Sequence, residues 1–279
     1  MDTYQLKYTI STQYKEEVRH ASYLIMTLPC SNDDQDLISY SIKCSLGENQ
    51  HIGQNHFGFS YIYYQTQKRF RQFDFELECE VEIRTSNPFS FDYSLQHLEK
   101  EILAENDFKI ENHSFLQSTP FTFLKKEDTL LLLEEKQSLF DFLQQLNQYI
   151  NDYLSYIPDS TTVNTTASEL LIKKEGVCQD FTHLFIAICR NNGIPCRYVS
   201  GYLNQGNNLT GAHQLHAWAE VYVPHVGWIG FDPTNNLLVD HHYIKIAHDV
   251  DYKDCTPIKG VIGTTGEQIS SHTVQVTNQ

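Results

Sequence analysis

Apolar residues recur at every second position through much of the first third of the chain. Tyr4, Leu6, Tyr8 and Ile10 alternate with polar residues, as do Ile38, Tyr40, Ile42, Cys44 and Leu46. The longest series, Phe73, Phe75, Leu77, Cys79, Val81 and Ile83, is interleaved with Asp74, Glu76, Glu78, Glu80 and Glu82. Period-two alternation means one buried face and one wet face, the signature of antiparallel strands. With the runs Ala21–Leu28 and His56–Gln65, it predicts about five strands. The acidic face of the third series could take a cation or a basic partner, but a solvated sheet face explains it without either.

After Asn87-Pro88, read as a turn and a domain boundary, the period changes. Leu139, Phe140, Leu143, Leu146, Tyr149, Ile150, Tyr153 and Leu154 follow helical spacing, closed by Pro158. Thr166-Ala-Ser-Glu169 has the form of a capping box opening a short helix, with Gly176 suited to its end. A third helix begins at Cys178, where Phe181, Leu184, Phe185 and Ile188 form one apolar stripe, and Asn191-Asn192-Gly193 closes it. Strands are expected over Pro195–Leu203, His216–Val223 and Trp228–Asp232, with a polar loop over Asn204–Gln214. The reading is α+β: an antiparallel β domain over 1–86, then a catalytic unit over 87–279.

A chain of 279 residues can bury a substantial core. Its net charge of −15 repels phosphate backbones and anionic lipid, so neither nucleic acid nor membrane is an expected partner. MDTYQLKYTI has no basic and apolar leader pattern, no apolar run is long enough to span a bilayer, and the seven cysteines form no tight CxxC pair. These features predict a cytoplasmic protein with reduced thiols, without structural zinc or a disulfide framework.

Cys178 stands apart from the other cysteines. A lone cysteine is usually a small packing residue, and Cys189 and Cys196 read that way. Cys178 opens a helix, where free N–H groups and the helix dipole favour a thiolate. A thiolate nucleophile needs a base, and the base needs an orienting acceptor. His216 and Asp232 lie on consecutive strands joined by a short turn. For both to face one way, paired residue numbers must have an even sum, which predicts Tyr222 opposite Trp228 and Trp218 opposite Asp232. A tighter turn pairing Val223 with Trp228 would point Asp232 away.

At these residues the sequence resembles the bacterial transglutaminase-like superfamily. Gly176-Val-Cys178-Gln-Asp-Phe-Thr-His-Leu-Phe-Ile-Ala with Gly193-Ile-Pro-Cys-Arg-Tyr-Val-Ser-Gly-Tyr202 is similar to its nucleophile segment. His216-Ala-Trp-Ala-Glu-Val-Tyr-Val-Pro224 and Gly227-Trp-Ile-Gly-Phe-Asp-Pro-Thr234 are similar to its second and third motifs. The likeness covers about residues 160–240. It implies a papain-like core, a nucleophile helix packed on an antiparallel sheet, with a Cys-His-Asp triad at Cys178, His216 and Asp232. It also implies a peptide or protein substrate and no cofactor. Cys196 stands where relatives commonly carry Ala, which affects packing only.

The resulting reading is a thiol acyl-transfer enzyme acting on amides, with hydrolysis favoured over cross-linking. Gln179, Asp180, His183 and His213 are candidates for second-layer or substrate contacts, and each can equally be a bystander. Trp218 either shields the thiolate–imidazole pair or simply packs. Two other readings stay open: a non-catalytic interaction module on the same fold, and a metal site from His213, His216, Asp232, His241 and His242. The second leaves Cys178 without a role, so no metal is expected.

Overall fold

The computed structural model describes residues 1–47, 50–84, 87, 89–90, 93–125, 128, 131–204 and 209–278. Six strands come first: β1 (Asp2–Val18), β2 (Ala21–Ile25), β3 (Gln35–Cys44), β4 (Gln50–Gln54), β5 (Ser60–Thr66) and β6 (Phe70–Ile83). Three short helices follow, α1 (Glu99–Ala104), α2 (Asn106–Glu111) and α3 (His113–Leu116), then the long α4 (Leu139–Tyr153). Next come β7 (Ser155–Tyr156), α5 (Ala167–Lys173), β8 (Glu175–Gly176) and α6 (Cys178–Asn191). The chain ends with β9 (Cys196–Leu203), β10 (His216–Val223), β11 (Gly227–Asp232), β12 (Leu237–Leu238), β13 (Tyr243–Asp249), β14 (Ile258–Ile262) and β15 (Gln268–Asn278).

The N-terminal strands form two four-stranded sheets, in the orders β15-β1-β6-β3 and β14-β2-β5-β4. Tyr23 of the second stacks on Phe73 of the first at 4.2 Å, and the hydroxyls of Tyr14 and Tyr23 meet at 2.7 Å. The alternation of β6 plays out as read: Phe73, Phe75, Leu77, Cys79, Val81 and Ile83 are buried. On its wet face Glu76 pairs with Lys7 at 2.8 Å and Lys43 at 2.6 Å, so the carboxylate row is laced by lysines.

The strand expectations need three corrections in the N-terminal region. β4 was not anticipated, because Gln50–Gln54 carries only one large apolar residue. Residues 56–59 are a turn rather than strand, since Asn55 Oδ1 accepts from the N–H groups of Phe57 and Phe59. Ile38 and Tyr40 are exposed, because β3 lies at a sheet edge and a bulge between Leu37 and Ser39 shifts its register.

The last two strands pair with the N-terminal ones and not with the central five-stranded sheet. β15 pairs with β1 from Tyr4 opposite Asn278 to Tyr14 opposite Gln268, and β14 pairs with β2. The sandwich is therefore built from both ends of the chain. β1 would otherwise present an unpaired edge. Of the expected boundary turn, Asn87 accepts from the backbone of Phe89 and Ser90, and Pro88 lies outside the described residues.

The central unit is a five-stranded antiparallel sheet, β12-β11-β10-β9-β13, with α6 packed on one face. The sandwich is bonded to this sheet at several points. The Gln35 side chain donates to the Lys245 carbonyl and accepts from its N–H, and the Tyr202 hydroxyl donates to the Thr27 carbonyl. Among the described residues, no helix is long and apolar enough to cross a membrane.

Candidate active site

The start of α6 is fixed by residues on either side of Cys178. α5 opens with the anticipated capping box of Thr166 and Glu169, but it stops at Lys174, which adopts the left-handed conformation (φ 60°). Gly176 therefore does not end that helix. A Cβ there would sit 2.7 Å from the Asp180 Cβ, so glycine leaves room for Asp180 to fold back over the helix start. The Asp180 Oδ2 accepts from the Val177 N–H at 2.8 Å and the Thr161 hydroxyl at 2.5 Å. This caps the helix that presents Cys178, while Phe181, Leu184, Phe185 and Ile188 anchor it in the core. Burial raises the Asp180 carboxyl above its ordinary range, against the bonds from Thr161 and Val177. Asp180 is a structural cap.

His216 opens β10 with its side chain fully buried, and its Nε2 lies 2.7 Å from Asp232 Oδ2. The hairpin register is the anticipated one. Tyr222 pairs with Trp228, and pairing runs from Ala219 opposite Phe231 to Val223 opposite Gly227. The chain reverses through Pro224, His225 and Val226, with positive φ at His225 and Gly227.

Asp232 is held by more than the imidazole. Oδ1 accepts from the backbone of Thr234 and Asn235, at 3.0 and 3.3 Å. Oδ2 accepts from Asn235 Nδ2 at 2.8 Å and the Tyr243 hydroxyl at 2.9 Å. Asn235 also exchanges hydrogen bonds with the Thr210 backbone, at 3.0 and 3.1 Å, tying the loop before β10 to the carboxylate. Sequence reading missed Asn235 and Tyr243. An Asp followed by backbone donors two and three residues on is an Asx-turn signal, but nothing local marks Tyr243.

The electrostatics suit an imidazolium–carboxylate pair. Burial alone would lower His216, but the Asp232 charge and hydrogen bond, with a smaller contribution from the Cys178 thiol, push it up to about 10. Burial likewise opposes ionisation of Asp232, yet the His216 charge and the Asn235 and Tyr243 bonds keep it below its ordinary range. His216 Nδ1 has no hydrogen-bond partner of its own among the described residues. It is the imidazole nitrogen that the bond to Asp232 leaves unengaged.

Cys178 and His216 line one cavity of about 330 Å³, together with Gln179, Tyr198, Ser200 and Tyr252. Gln179 thus reaches the cavity, with its Nε2 on the Val163 carbonyl at 3.3 Å. His183 does not: it is buried against Phe121, accepts from the Tyr252 N–H, and is lowered to about 3 by burial and then by Arg190. His213 is exposed, its carbonyl accepting from the Val274 N–H. Trp218 packs edge-on against Tyr243 at 5.4 Å, so it covers the Asp232 side of the pair and not the thiol. Cys189 and Cys196 are fully buried. The five-residue metal set does not assemble. His216 pairs with Asp232, while His241 and His242 cluster with Asp240.

Residues 131–233 match the sequence model of the Transglutaminase-like superfamily. An uncharacterised protein of Mycobacterium tuberculosis is 40% identical over 141 residues, covering 47% of this chain and 45% of the relative. The chain thus spans about half the length of that relative. A protein-glutamine gamma-glutamyltransferase of Pseudomonas aeruginosa is 34% identical over 83 residues, 28% of this chain and 12% of that protein. A crystal structure from Cytophaga hutchinsonii, described as a candidate cysteine protease, superposes with a TM-score of 0.71 at 18% identity, covering 99% of this chain and 90% of that one. The fold is transglutaminase-like, with a β-rich N-terminal region.

Proposed function

We propose that Cys178, His216 and Asp232 act as a thiol triad that transfers the acyl group of an amide, with water as the preferred acceptor. The observation that carries this reading is the fully buried 2.7 Å His216–Asp232 pair beside a cysteine at a helix start, opening on one cavity. The Cys178 sulfur adds to the amide carbonyl, the C–N bond breaks, and the amine leaves with a proton from His216 Nδ1. Water then attacks the thioester, giving one proton to His216, and the adduct collapses to release the acid and the Cys178 thiolate. Hydrolysis is favoured because exposed Asp159 and Gln214 stand at the cavity wall and leave the thioester open to bulk water. The likeness to a candidate cysteine protease points the same way, as analogy.

The test compares wild type with Cys178→Ala on a glutamine-containing peptide library, with a labelled primary amine present. Mass spectrometry should find cleaved or deamidated peptides only with wild type. Timed iodoacetamide labelling should modify Cys178 before Cys189 or Cys196. Amine incorporation outrunning hydrolysis would reverse the acceptor preference. Equal action by both proteins would leave a non-catalytic binding module.

A further inference from the structure

The strand beside the nucleophile helix carries hydrogen-bonding capacity that the fold does not use. Tyr198 and Ser200 sit two residues apart on β9, so they share a face, and both line the cavity that holds Cys178. Tyr198 is 2% exposed, with its ring between those of His183 at 5.1 Å and Tyr252 at 6.1 Å. Its hydroxyl has no hydrogen-bond partner among the described residues. The Ser200 hydroxyl is also without a partner. Buried hydroxyls are ordinarily satisfied: Tyr202, on the same strand, donates to the Thr27 carbonyl at 2.7 Å. For Ser200, whose oxygen is buried without a partner, the missing bond is a cost that persists where that partner is a ligand.

Of the other side chains near the sulfur, His183 has its Nε2 taken by the Tyr252 N–H, and Tyr252 accepts from the Thr256 hydroxyl at its backbone carbonyl. First-turn N–H groups of a helix have no intrahelical acceptor, which leaves the Cys178 N–H available.

We propose that the Tyr198 hydroxyl, together with the Cys178 backbone N–H, is an oxyanion donor, which makes Tyr198 a catalytic residue. The inference rests on the acyl-transfer reading. When sulfur adds to the carbonyl carbon, the C=O pair shifts onto oxygen, and the two donors hydrogen-bond to that oxyanion. When the amine leaves, the pair returns and the thioester carbonyl re-forms. Tyr198 gains no charge and loses no proton. Burial, with the nearby Cys178 adding to it, pushes the phenol well above its ordinary range, which keeps the O–H in place as a donor. Strand β9, paired on both sides, holds the ring in position.

The experiment separates oxyanion stabilisation from thiol reactivity. Two reagents are given to wild type, Tyr198→Phe and Cys178→Ala. p-Nitrophenyl acetate acetylates the thiol through a tetrahedral oxyanion, whereas iodoacetamide alkylates it by displacing iodide, with no oxyanion. Tyr198→Phe should slow the Cys178-dependent burst of p-nitrophenolate by roughly 10²–10³-fold, while alkylation of Cys178 stays within about twofold. The alkylation rate also reports that the variant is folded. An unchanged burst overturns the proposal. So does an equal fall in both rates, which would make Tyr198 a support for the thiol. A wild-type burst no larger than that of Cys178→Ala would instead sink the acyl-transfer reading, and the proposal with it.

Discussion

At the scale of single residues, the proposed triad positions stand out in the sequence because each carries a local signal. Cys178 opens a helix, and His216 and Asp232 share a strand parity. Of the residues that hold Asp232, Tyr243 was not legible, because it arrives from another strand, while Asn235 lies only three residues on and its turn signal was not read. Their effect is expressed in pH. The folded His216 sits at about 10 against an ordinary value of 6.5. Its contribution to stability is therefore fully present below the ordinary value and is lost as pH rises through the folded one. Asp232 is depressed, so its contribution holds above the ordinary carboxylate range and is lost as pH falls through its lowered value. In the proposed reaction the leaving amine takes its proton from His216, so activity should fall on the alkaline side near pH 10. Asp232→Asn removes the anion that outweighs burial. The alkaline limb should then move below about 7, and turnover should drop by roughly 10⁴-fold while the fold survives. A pH–rate profile checks both. Near-wild-type turnover in the variant, or an alkaline limb that does not move, would remove Asp232 from the proposed role.

At the scale of elements, long periodic segments were readable and their ends were less so. β6, α4 and α6 follow their hydrophobic periods closely, because packing and propensity agree there. The stop of α5 was misplaced by two residues, since Lys174 takes the left-handed position that Gly176 was expected to fill. The loop ahead of β10 gave only a polar composition, part of it (205–208) lies outside the described residues, and its described end carries a tight fit. Gly211 has φ 94°, and a Cβ there would lie 2.4 Å from His216 Nδ1. Asn235 holds the neighbouring Thr210, so this loop and the Asp232 carboxylate are positioned together. Gly211→Ala should cut activity at least tenfold by displacing the imidazole. The matching control is Gly193→Ala, at φ 70° with open space around its Cβ, which bears backbone strain alone. Both variants should lose about 1–2 kcal/mol of stability, and only Gly211→Ala should lose turnover. Equal activities in the two would show that the loop does not position His216.

At the scale of the whole molecule, the sequence pattern misled where a strand has little to bury. β15 is exposed along most of its length, with Val274 its one buried apolar residue, so it shows none of the strict alternation of β6. Its pairing is dictated instead by the open edge of β1, which can be satisfied from the far end of the chain. That closure reaches the site. The Val274 N–H donates to the carbonyl of His213, three residues before His216, and His272 meets the Tyr8 hydroxyl at 3.0 Å. A chain ending at residue 257 would lose β14 and β15, leaving the ladders of β1 and β2 bare over a hydrophobic interior. Such edges template association. The shortened protein should melt at least several degrees lower, run as oligomers on size exclusion, and lose turnover as the loop before His216 loosens. If it stays monomeric with an unchanged melting temperature, the C-terminal strands are dispensable decoration and the sandwich is complete without them. If it melts lower yet keeps full turnover, the strands stabilise the sandwich alone, and the His213–Val274 link carries nothing to the site.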